Sequence, residues 1–229
     1  VIIEVNSETD FVAKNSEFTD MIKTILETVM ESDATTVEDA LKLSTSEGTI
    51  EDLVIAKTSK IGEKLSFRRM EVVTKSDSEA FGDYLHMGGK IAVLTVVDNT
   101  SSEVAKDVAM HIAALAPKYV SNEEISAEEV AKEREILLAQ ALNENETAAK
   151  PKPQQIIEKM VEGRLVKNFK EICLLDQPFV KNPDQTVAAY VKSKGCNVVS
   201  FVRLVVGEGI EKEVVDFAAE VAAQAGLNK

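Results

Sequence analysis

Two hydrophobic periods take turns along this chain. Val1-Ile2-Ile3 opens an apolar run that reads as a strand to Val5. From Ser16 to Met30 the apolar residues Phe18, Met21, Ile22, Ile25, Leu26 and Val29 recur at intervals of three and four, which predicts an amphipathic helix with one buried stripe. Ser16 is placed to cap it, and Glu17 suits its first turn, where the helix dipole favours an acid. A short helix is expected from Thr35 through Leu43, then a loop from Ser44 to Gly48. Thr49 opens another helix, with Ile50, Leu53, Val54 and Lys57 on one side, ending near Gly62. Leu65 to Thr74 reads as a strand. It carries the adjacent pair Arg68-Arg69, taken as structural: salt-bridge formers or a solvated edge. Ser76-Asp77-Ser78 closes this unit.

The same order then recurs. Tyr84 to Gly89 leads into Lys90–Val97, the most apolar strand, which Asp98-Asn99-Thr100 turns. A helix from Ser101 to Ala116 follows, with Val104, Val108, His111, Ile112 and Leu115 on one face, and Pro117 stops it. Further on, Thr186–Gly195 and Val199–Val206 parallel Thr49–Gly62 and Leu65–Val73. The expected fold class is α+β: two duplicated subdomains, each a small antiparallel sheet with helices. An insertion separates the parts of the second copy. Ser126–Leu142 and Gln154–Phe169 read as helices joined by a polar turn with two prolines, an antiparallel hairpin roughly 25 Å long. It has too little core to stand alone, so it leans on the parent domain or on a second copy of itself. After Val206-Gly207-Glu208-Gly209, a last helix should put Val214, Phe217, Ala218 and Val221 on one face. The boundaries drawn are 1–80, 81–125 with 171–206, 126–170 for the hairpin, and 207–229.

Composition and charge narrow the function classes. An apolar share of 45% with only 10 Gly and 5 Pro describes an ordered chain. A formal charge of −13 opposes binding to phosphate backbones, so no direct nucleic-acid partner is expected; it suits docking to a basic protein face, or solubility alone. No apolar run approaches the ~18 residues a membrane span needs, and no membrane partner or signal peptide is expected. Cys173 and Cys196 lie far apart and read as reduced core residues of a cytoplasmic protein. Gly207-Glu208-Gly209 lacks the Lys and Ser/Thr of a phosphate-binding loop, so tight GTP or GDP binding is not expected. With two His and no ligand cluster, neither a metal nor any other cofactor is expected. No motif singles out a nucleophile or a carboxylate pair.

The stretch Glu4-Val5-Asn6-Ser7-Glu8-Thr9-Asp10-Phe11-Val12-Ala13-Lys14 joins the first strand to the first long helix. It sets an acid beside a large aromatic where turn chemistry favours small polar residues. Phe11 is either tucked under the helix or held out for a partner, and spacing alone favours burial.

This stretch, with its core Thr9-Asp10-Phe11-Val12, resembles the signature of the elongation factor Ts family, whose members recharge elongation factor Tu with nucleotide. Met110-His111-Ile112-Ala113 and Glu158–Arg164 resemble further family segments, so the likeness covers essentially the whole chain. The resemblance implies a guanine nucleotide exchange factor and no enzyme. The Thr9–Val12 loop would press on the partner beside its Mg²⁺ ion, with Phe11 as an apolar wedge. Met110, His111 and Phe217 would be further contacts, although a histidine on a helix stripe is ordinarily a satisfied core or rim residue. His86 is given no role. The insertion would be the family's coiled-coil dimerisation module, making a homodimer possible. The resemblance also implies that a small helical module is missing ahead of Val1, and a cytoplasmic location in a bacterium or an organelle. Two other readings stand beside it: an α+β enzyme with an unrecognised site, and a passive dimeric scaffold.

Overall fold

The computed structural model describes residues 1–210, and the expected helix around Phe217 lies outside them. It combines helices with small antiparallel sheets, which makes the fold α+β. Strand β1 (Ile2–Asn6) is followed by helices α1 (Ser16–Met30) and α2 (Val37–Ala40), a tiny ladder of β2 (Ser44–Thr45) and β3 (Gly48–Thr49), helix α3 (Ile50–Ile61) and strand β4 (Ser66–Glu71). β1 pairs antiparallel with β4. α1 and α3 cover this pair, and Phe18, Met21, Ile25, Ile50, Leu53 and Phe67 fill the space between. Asn15, not Ser16, caps α1, its side chain accepting from Glu17 N at 2.9 Å. The cap moves back one residue because Asn15 already has extended backbone while Ser16 is helical. Glu17 then reaches Lys60 and Lys57 of α3 at 2.6 and 3.0 Å, and those ammonium groups hold its carboxyl below the usual range. In α3, Thr49 and Asp52 form a reciprocal capping box, and Gly62 closes the helix with φ 81°, a left-handed conformation that costs glycine little.

The second sheet holds three strands in the order β5 (Glu79–His86), β6 (Ile91–Asp98), β9 (Val198–Val205). β5 is a full strand paired with β6 from Glu79↔Asp98 to His86↔Ile91, where the sequence suggested only a lead-in, and it starts ahead of the boundary drawn at 80/81. Its Gly82, Asp83 and polar ends hide the alternation that marks a strand. Helix α4 (Ser102–Leu115) packs on this sheet, and α7 (Val187–Ser193) precedes β9. Val93, Val97, Val108, Ile112, Leu174 and Phe179 are at the centre of this core. The short pair β7 (Pro178–Phe179) and β8 (Asn182–Thr186) lies just ahead of α7 in the chain.

Helices α5 (Ala127–Glu146) and α6 (Gln154–Ile172) are longer than the sequence suggested. The extra turn of α5 is held by Arg164 on Glu144 at 2.7 Å, and Asn145 closes the connection by bonding both the N–H and the carbonyl of Lys152 at 2.6 and 3.1 Å. The two helices share a small core of Leu137, Ala141, Ile157, Val161 and Leu165. Among the described residues no helix is long and apolar enough to cross a membrane.

Candidate functional site: the loop between β1 and α1

The loop leaves β1 at Asn6 and is tied down at four points. Ser7 Oγ donates to the Thr9 carbonyl at 3.1 Å, and Thr9 is gripped by the Glu63 carboxylate, which accepts from its N–H at 2.9 Å and its hydroxyl at 2.6 Å. Val12 is buried in the first core and starts a single 3₁₀ turn, Val12–Lys14. Asn15 ends that turn and caps α1. Asp10 receives Lys90 Nζ at 3.0 Å, an ion pair between exposed side chains that ties the loop to the start of β6. Between these anchors Phe11 stands out with 88% of its surface exposed. It is not packed under α1. Its neighbours Thr9 and Val12 are held by bonds and by burial respectively, so the loop presents one large apolar group on an ordered base.

The connection that supplies Lys90 is unusual in itself. Met87, Gly88 and Gly89 have φ of 52°, 68° and 91°, a left-handed run in which two glycines relieve the strain. Leu85 near the end of β5 and Met87 on this connection are exposed. His86 stacks on Tyr84 with ring centroids 6.0 Å apart. The Asp10–Lys90 pair thus brings the exposed Phe11 to the same end of the molecule as Leu85 and Met87.

Met110 and His111 lie on α4, beside the second sheet. Met110 is half-buried on α4. His111 has no accessible surface, and both ring nitrogens are used internally. The Val180 N–H can only donate, so Nδ1 accepts it at 3.1 Å, and Nε2 then carries the proton and donates to Gln177 Oε1 at 2.9 Å. Gln177 Nε2 in turn donates to the Glu171 carbonyl at 2.6 Å. In this conformation His111 offers a partner nothing to touch; it holds the β7–β8 turn against α4. Burial pushes its pKa below the ordinary 6.5, with the Gln177 bond working against that shift. The unfolded chain therefore takes up a proton near pH 6.5 while the native one does not, and stability falls with acid. We expect unfolding free energy to hold above pH 6.5 and to drop below it by up to about 1.4 kcal/mol per pH unit. Urea titrations between pH 5 and pH 8 check this, and His111→Gln should remove that slope.

Cys173 and Cys196 are free and buried, and burial raises both thiol pKa values. Among the described residues no three His, Cys, Asp or Glu side chains gather where they could hold a metal ion. The loop offers surface, shape and one charge pair, which are means of binding. Glu63 and Lys90, which shape it, went unnoticed in the sequence because they lie 54 and 80 residues from their partners. A model of the family described as elongation factor Ts matches residues 8–208. The chain belongs to the elongation factor Ts family. This family acts as nucleotide exchange factor for elongation factor Tu by protein binding, and residues 8–208 include Thr9, Asp10, Phe11, Val12 and Asn15 with the partners Glu63 and Lys90.

Proposed function

We propose that this chain speeds GDP release from elongation factor Tu by pressing Phe11 against the partner beside its Mg²⁺ and phosphate site. The observation that carries the reading is the 88% exposure of Phe11 on a loop anchored on both sides. A wedge must be stiff, because a loop that had to order on binding would lose its push to conformational entropy. Thr9 on Glu63, Val12 in the core and Asn15 on α1 provide that stiffness.

The mechanism is one of mutual exclusion. The loop favours a partner conformation whose Mg²⁺ and phosphate ligands are displaced, so factor and GDP each weaken the other's binding by the same factor. A tenfold loss of GDP affinity corresponds to about 1.4 kcal/mol of coupling. One well-placed aromatic anchor is worth about 2 kcal/mol or more at an interface, enough for one such factor and part of a second. Asp10 acts with it: once the partner arrives, its carboxylate is free to exchange Lys90 for a donor on the partner. GTP then refills the emptied site and releases the factor. The finer assignments go with this reading: contacts through Met110 and Phe217, and action in a bacterial or organellar translation compartment. Reciprocity gives the test. The chain should co-elute with nucleotide-free elongation factor Tu in gel filtration, and added GDP should break the complex. Co-elution equally strong at saturating GDP would end the proposal.

Two structural readings belong with it. β1 with β4 and β6 with β9 are both antiparallel pairs that enclose a strand–helix and helix–strand order, which supports two copies of one unit, the second widened by β5. The α5–α6 hairpin leaves Ile136, Leu142, Ile156 and Val166 exposed, which supports a coiled coil that takes up a second copy of itself. Sedimentation should then give a dimer that reverts to monomer when 127–172 is replaced by a short linker; equal monomeric mass for both would remove the dimer.

A further inference from the structure

Glu4 is an acid in the middle of an apolar strand, and its side chain is only 1% exposed. A buried carboxylate is costly unless charged and hydrogen-bonded partners surround it. Here there are three. Arg68 Nη1 reaches both carboxylate oxygens at 3.0 and 3.1 Å, Arg69 Nε donates to one of them, and Gly207 N–H donates at 2.9 Å. Adjacent strand residues ordinarily point to opposite faces. The convergence of both arginines depends on a bulge: Glu4 pairs with Arg69 and Val5 with Phe67, which leaves Arg68 as the extra residue. Both arginines also reach past Glu4, Arg69 Nη2 to the Val205 carbonyl at the end of β9 at 2.8 Å and Arg68 Nη2 to the Glu208 carbonyl in the turn beyond it at 2.7 Å.

The cluster closes a circuit with the loop. Glu4 holds Gly207; the neighbouring Val206 N–H donates to the Lys90 carbonyl at 2.9 Å; Lys90 Nζ holds Asp10 at 3.0 Å; and Asp10 returns along the loop to β1. We infer that Glu4 is a positioning residue for exchange: its charge, shared with Arg68 and Arg69, locks the first sheet to the end of β9 and so sets where Lys90 holds Asp10 and Phe11. The inference rests on the wedge reading for its consequence, but the locking itself is read independently. Without the Glu4 charge two arginines are left facing each other at the junction, and β1 and the end of β9 lose their common partner.

The test uses Glu4→Gln, nearly isosteric but uncharged, and a tryptophan at position 11 as reporter, since the chain contains no Trp. Phe11→Trp emission anisotropy should fall when Glu4→Gln is added, with far-UV circular dichroism unchanged. In stopped-flow assays with Phe11 intact, Glu4→Gln should lower the maximal GDP-release rate about tenfold, or 1.4 kcal/mol, while the half-saturating concentration moves much less. A merely structural Glu4 would lower the melting temperature and leave both the anisotropy and the maximal rate of the folded fraction alone; that result overturns the inference. So does a slowed release with unchanged anisotropy. Should Glu4→Gln not fold, Arg68→Ala keeps Arg69 and Gly207 on Glu4 and should show the same two effects at about threefold, with their absence again decisive. If the wild-type chain does not accelerate release at all, the wedge reading fails, and the anisotropy still decides the locking.

Discussion

Phe11→Ala should leave thermal unfolding where it is and slow GDP release from elongation factor Tu by roughly thirtyfold, the effect of losing about 2 kcal/mol at an interface anchor. The stability half of this result follows from placement. Truncating a buried Phe costs about 3–5 kcal/mol, through lost transfer energy and the cavity left behind. A side chain with 88% of its surface exposed loses little of either. The same protein sample therefore separates the alternatives that the sequence left open. A drop in melting temperature of many degrees with normal exchange by the folded fraction would mean that Phe11 packs inward in solution. Asp10→Ala should likewise slow exchange with little loss of fold, because its ion pair with Lys90 is exposed and such pairs contribute little to stability.

The largest effect on the fold itself is expected at Gly82. This residue sits in the middle of β5, where α4 lies directly on the strand. A Cβ there would come 2.1 Å from the Ala105 carbonyl carbon and 2.5 Å from Lys106 N, backbone atoms that cannot rotate away. The close approach is stitched by Thr95, whose buried hydroxyl lies 3.2 Å from the Gly82 carbonyl and 3.0 Å from the Ala105 carbonyl. Gly82→Ala must push α4 outward, strain the Thr95 contacts and open the core beneath Val108 and Ile112. Overpacking and a stranded buried hydroxyl together predict a loss of about 3–5 kcal/mol. Gly163→Ala is the control. That position lies inside α6 with open space around it, and helix propensity predicts a gain of about 0.5–1 kcal/mol there. Urea unfolding of the two variants beside wild type measures both, and a Gly82→Ala midpoint within error of wild type would contradict the packing described.

What the sequence made legible follows from which interactions are local. α1, α3, α4 and α6 show their apolar stripes at helical spacing, and Gly62 and Pro117 mark ends that the structure keeps to within a few residues. β5 was not legible, although it forms a hairpin with β6, because Gly82 and Asp83 interrupt its alternation and that glycine answers a helix more than twenty positions downstream. Glu4 opens the stretch that the sequence singles out, but its burial is not legible there because its partners are the distant Arg68, Arg69 and Gly207. At the site, turn chemistry singles out Asp10 and Phe11 and the resemblance gives them a role, while spacing alone favours burying Phe11. Spacing erred because the burial requirement is met one residue later, by Val12. His111 shows the opposite case: the resemblance suggested a contact, the helix stripe suggested a satisfied interior histidine, and the ring is buried with both nitrogens bonded.

Above all, we propose that the anchored loop dislodges GDP from elongation factor Tu. Its most direct test is stopped-flow release of a fluorescent GDP analogue from elongation factor Tu, chased with excess unlabelled GDP, at rising concentrations of this chain and of its Phe11→Ala variant. The wild-type rate should climb to a plateau well above spontaneous release, and the variant, folded to the same extent, should plateau roughly thirtyfold lower. A folded wild-type chain that leaves the release rate at its spontaneous value, or a variant that matches wild type at every concentration, would contradict it.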